Sequence, residues 1–72
     1  MKSGQQVKIV SRGSLTVYRI ESNDHRHSGF SELPNGSKVV FKGLDRDEVI
    51  LNRGNSWFSV DQESFSEHAV EV

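Results

Sequence analysis

The sequence predicts an all-β domain: a small barrel of five to six strands with one helical turn near the C-terminus. Three observations lead there. Apolar residues alternate with polar ones in short runs, as in Val7-Lys8-Ile9. Glycine- and asparagine-bearing turns separate these runs every few residues. Only Asp61 to Phe65 carries helix-start chemistry, with Asp61 as an N-cap and Glu63 at the positive end of the helix.

In chain order, Gln6–Ser11 and Leu15–Glu21 read as strands, the second rich in β-branched and aromatic residues. Arg12-Gly13-Ser14 between them reads as a tight turn, which makes the pair an N-terminal hairpin. Residues 22–37 read as a long loop without a clear period, closed by Pro34-Asn35-Gly36-Ser37. Phe30 and Leu33 are expected to pin that loop to the core. Lys38–Lys42 is the next strand, Gly43 to Asp47 a charged turn, and Glu48–Leu51 a fourth strand. Asn52-Arg53-Gly54-Asn55 then makes a hairpin into Ser56–Val60, and His68–Val72 is a short last strand.

Seventy-two residues make one domain, here 1–72. At this size roughly 60% of the unfolded surface can be buried, so stability is marginal. There is no cysteine, which removes disulfides, thiolate metal sites and thiol nucleophiles. No apolar run approaches the roughly 20 residues of a membrane span, so no membrane association is expected. Met1 to Gln6 is polar and lacks the apolar stretch of a signal peptide. A cytoplasmic location is the expectation. The net charge is −1, but residues 1–44 hold seven basic against three acidic side chains, and residues 45–72 hold two against seven. Either folding mixes the two halves or a dipolar surface results that steers a charged partner.

The stretch Leu33-Pro34-Asn35-Gly36-Ser37-Lys38-Val39-Val40-Phe41, the tryptophan strand Gly54–Val60 and the helical turn Asp61–Phe65 resemble the Src-homology-3-like small barrels, in their KOW, Tudor and bacterial forms. About two thirds of the chain is covered by this likeness. It implies an SH3-like barrel and a binding role for a protein, RNA or DNA partner. Trp57 stands alone, with no paired tryptophan and no acidic loop of the kind that reads proline-rich peptides, so that specificity is not carried over. Free-standing barrels of this length act as accessory or regulatory subunits in bacteria and phages, by analogy.

Side-chain alternation separates two faces. Val7, Ile9, Leu15, Val17, Val39, Phe41, Val49, Leu51, Phe58 and Val60, with Phe65 and Val70, form the expected core. Tyr18, Val40, Ile50 and Trp57 fall on outward parity, flanked by Lys38 and Lys42. Two readings of this outward set are open. The long loop or the N-terminus folds over it as a second small core, or it is an exposed patch with an aromatic anchor and a basic rim.

Chemistry is harder to find. Asp24-His25-Arg26-His27 offers two imidazoles, but a closed zinc site needs four ligands, only His68 remains, and Arg26 opposes a cation. Serine, histidine and aspartate occur without a nucleophile elbow. Gly36-Ser37-Lys38 lacks the upstream glycine of a phosphate loop. No cofactor, metal or catalytic residue is expected. The expected function is a non-enzymatic protein–protein interaction module, docking a larger partner through Trp57, Ile50, Val40, Tyr18, Lys38 and Lys42. The alternative is a nucleic-acid binder that stacks RNA or single-stranded DNA bases beside a basic groove. A homodimer through the same patch is a third possibility.

Overall fold

The computed structural model describes residues 1–72. The protein is mostly β. Its seven strands are β1 (Gln6–Ile9), β2 (Ser14–Ile20), β3 (Phe30–Pro34), β4 (Lys38–Asp45), β5 (Glu48–Arg53), β6 (Ser56–Asp61) and β7 (Ala69–Glu71). One helix, α1 (Gln62–His68), lies between β6 and β7. The strands form a single antiparallel sheet in the order β3-β2-β6-β5-β4-β1-β7.

The sheet is not closed into a barrel. β3 and β7 are its two edges and do not pair with each other. One face nonetheless encloses a single core of Val7, Ile9, Leu15, Val17, Leu33, Val39, Phe41, Val49, Leu51, Phe58, Val60 and Phe65. Alternation accounts for this set, because successive side chains of a strand point to opposite faces, although Ile50 in β5 and Ser59 in β6 are buried on the other face as well. Helix α1 packs against β5, β6 and β7 and delivers Phe65 to within 5.9 Å of the Phe41 ring, centroid to centroid.

Five expectations are corrected. The first two strands do not form a hairpin: β1 pairs with β4 and β7, whereas β2 pairs with β3 and β6. Gly13 instead turns a corner that is stitched to the next turn. Asn35 donates its N–H to the Gly13 carbonyl at 2.9 Å, and its side-chain oxygen accepts from Ser11 N–H at 3.0 Å. The long loop is shorter than expected, because Phe30–Pro34 pairs with β2 along its whole length. Leu33 is fully buried, but Phe30 is 69% exposed, since it lies on the opposite face of β3. Val70 is also exposed, because its place beside Lys8 in the β1–β7 ladder puts it on the outer face. Finally, the supposed charged turn at Gly43 is a bulge in a longer β4. Gly43 takes φ +120° there, and the hairpin turn proper is Arg46-Asp47.

The β5–β6 hairpin forms as expected, around Gly54 at φ +60°. Asp61 caps α1 in extended backbone, its carboxylate accepting the Ser64 N–H at 3.0 Å. That N–H first, and then the Ser64 hydroxyl, hold the Asp61 carboxyl below its ordinary value.

Candidate functional site

The outer face of the sheet is organised in cross-strand rows. Register places Phe30, Tyr18, Ser59, Ile50 and Gly43 in one row across β3, β2, β6, β5 and β4. The next row holds Ile20, Trp57, Asn52, Val40 and Gln6. A third places Lys38 beside Lys8 and Lys8 beside Val70.

The segment 21–29 lies against the first row. The His27 ring stacks on Tyr18, with centroids 3.8 Å apart and planes 6° from parallel. Its Nε2 is 2.9 Å from the Glu48 carboxylate, and His25 Nδ1 is 2.9 Å from Asp45 Oδ2. Asp45 and Glu48 flank the Arg46-Asp47 turn, so two histidines of one segment grip two carboxylates of one hairpin. The Phe30 ring lies 5.0 Å from Tyr18, tilted by 37°.

This arrangement splits the expected patch. Ile50 points outward, as alternation requires, and does not belong to the core cluster, yet it is only 3% exposed. Of the two readings that alternation leaves open for the outward set, a covering loop holds for this half. Tyr18 is half-buried under His27. Ser59, between them, is fully buried, and its hydroxyl has no hydrogen-bond partner.

The second row is less covered, although Ile20 at its end is buried. Trp57 and Val40 are half-buried and both flank Asn52. Asn52 donates from its side-chain amide to the Gly54 and Ser56 carbonyls, which braces the hairpin that carries the indole. Lys42 Nζ lies 5.8 Å from the Trp57 ring centroid, within cation–π range. Lys8 and Lys38 are exposed and directly opposite each other. Neither they nor Lys42 make a salt bridge; the ion pairs of this protein are His25–Asp45, His27–Glu48 and Arg26–Asp24. Like charges directly opposite in a ladder destabilise it, so the Lys8–Lys38 pair is a local stability cost.

The largest cleft, of about 760 Å³, lies between the segment 21–29 and the β4–β5 turn and is lined by Asp24 to His27 and Asp45 to Glu48, with no hydrophobic residue. The three histidines go to separate acceptors: Asp45, Glu48 and, for His68, the Ser64 carbonyl. No three metal-ligating side chains converge. Lys8, which faces Lys38, was not among the residues expected at a protein-docking patch. The signal that could have found it was the pairing of β1 with β4, which local pattern does not show.

Nothing among known family models, curated proteins or solved structures matches this chain.

Proposed function

We propose that the protein is a non-enzymatic protein–protein interaction module, an accessory or regulatory subunit that docks an acidic surface of a larger partner. The contact strip is Trp57, Val40, Lys42 and Lys38, with Lys8 added. The observation that carries this reading is the half-buried indole within cation–π range of the Lys42 ammonium, on the same outer face as two facing lysines that make no salt bridge. An apolar anchor with uncompensated charge around it suits a partner that brings carboxylates and one apolar side chain. The wholly ionisable lining of the largest cleft also differs from the mostly apolar pockets that hold small substrates.

Nucleic acid is the rival partner, and the lysines would serve it equally. Sequence-tolerant single-strand binding, however, uses several aromatic platforms along one groove. On the second row Trp57 is the one aromatic ring, while the face of Tyr18 is taken by His27. The Src-homology-3-like kinship is likewise a proposal. It is supported by the chain order in which a helical turn precedes a last strand that returns to β1.

The test is a pull-down with wild type, Trp57→Ala and Lys42→Ala, each with and without nuclease. Capture that survives nuclease and is lost in both variants supports the reading. Capture that nuclease removes, together with a gel shift of single-stranded oligonucleotide that weakens steeply with salt, would give the surface to nucleic acid. Light scattering on the free protein separates a second copy from a foreign partner.

A further inference from the structure

We propose that residues 21–29 form a strap that closes over half of the outer face and opens as a unit, so that the docking surface exists in a covered and an uncovered form. What the strap regulates rests on the function proposed above; its opening does not.

The covering is visible in Ile50 and Ser59. Register aims both away from the core, yet both are buried. The strap's anchors surround them: His27 on Tyr18 and Glu48, and His25 on Asp45. Opening would expose the row Tyr18–Ser59–Ile50 directly alongside Trp57–Asn52–Val40, doubling the width of the apolar strip.

The hold is weak in kind. From Glu21 to Gly29 there is no large apolar side chain, so the strap contributes nothing to the core. It is fastened by the two histidine–carboxylate contacts, the one ring stack and a few backbone bonds. Among these, Arg19 N–H donates to the Gly29 carbonyl and Ser28 N–H to the Arg19 carbonyl. Segments with few buried apolar contacts open at lower free energy than the core. Gly29, at φ +141°, supplies a hinge at one end. The closed form also strands the Ser59 hydroxyl without a partner, a penalty that water would relieve on opening. A partner that binds only the uncovered form sees its affinity reduced by the fraction of closed molecules.

Amide hydrogen exchange by NMR on the whole chain tests this without any partner. In wild type, the Arg19 and Ser28 amides should exchange at least about tenfold faster than the most protected β5–β6 amides. Two double variants break the same contacts from opposite sides: H25A/H27A from the strap, D45A/E48A from the turn. Each should raise exchange at Arg19 and Ser28 about tenfold or more, with the β5–β6 amides unchanged. Each should also increase fluorescence of the apolar anion 1-anilinonaphthalene-8-sulfonate. Exchange of Arg19 and Ser28 in step with the β5–β6 amides, in wild type or in either variant, would overturn the proposal. So would either variant leaving both amides unaltered. Trp57→Ala should leave the exchange pattern as in wild type. If that variant binds partner normally while the strap still opens, the docking surface fails and the strap stands.

Discussion

Lys8 and Lys38 face each other directly across the β1–β4 ladder, and neither has a carboxylate partner. A bare like-charge pair is a stability cost that function can explain. Lys38→Glu replaces repulsion by attraction across the ladder and should stabilise the fold by about 0.2–1 kcal/mol. The same change should weaken partner capture. Denaturant midpoints and a pull-down on the same variant check the two signs. A variant that gains stability and binds as before would remove the lysines from the contact strip.

Ser59 is the second position where removal should help. Its hydroxyl is buried and unpaired. Ser59→Ala eliminates the stranded group and leaves only a small void, so a gain of up to about 1 kcal/mol is expected. Because the gain belongs to the closed strap, exchange at Arg19 and Ser28 should slow. A lowered denaturation midpoint would show that the hydroxyl has a partner.

Arg46 adopts φ +59° in the two-residue β4–β5 turn. For a residue with a Cβ this conformation costs about 1–2 kcal/mol, which glycine avoids. Arg46→Gly should therefore raise stability despite the looser unfolded chain, with a net gain below about 1 kcal/mol. Thermal unfolding monitored by circular dichroism reads it directly.

The cap of α1 makes a prediction about acid. The Asp61 carboxyl is held below its ordinary value by the Ser64 N–H. Its folded-state value is thus lower than its unfolded one. Its contribution is present in full above the unfolded value, near pH 4, and fades as pH falls through the folded value. Asp61→Ala should cost about 1 kcal/mol at neutral pH and should remove this part of the acid sensitivity. Asp61→Asn should keep most of the neutral-pH stability and lose the acid dependence. Urea titrations at pH 7 and below pH 4 decide the matter.

Leu33 is fully buried although it belongs to an edge strand. Leu33→Ala should destabilise by about 2–5 kcal/mol, as core truncations do. A milder loss, measured by denaturation, would mean that β3 can detach while the rest remains folded.

How far the fold can be read from the chain differs from element to element. Val7, Ile9, Leu15 and Val17 were legible as core because each sits in a strand that is wet on one side and dry on the other. Leu33 was legible only as an anchor, since Phe30-Ser31-Glu32-Leu33-Pro34 buries one side chain on its inner face and shows no alternation. The partner of β1 was illegible: the same Arg12-Gly13-Ser14 chemistry serves a hairpin and a corner, and the choice depends on Asn35, more than twenty residues away. Parity gave the direction of Ile50 and Tyr18 but not their cover. The cover comes from His25 and His27 finding Asp45 and Glu48, and no local pattern encodes that meeting. Trp57, Val40, Lys38 and Lys42 were placed on one face by alternation alone, and there the structure puts them.

The pairing of β1 with β7 has a mechanical consequence. Val7 lies opposite Glu71, and Val72 N–H reaches the Gln6 carbonyl, so the two ends of the chain leave the sheet side by side. Tension applied through those ends loads the rungs one after another instead of together. Such a ladder unzips at low force, β7 peeling away first, while the β5–β6 hairpin stays untouched.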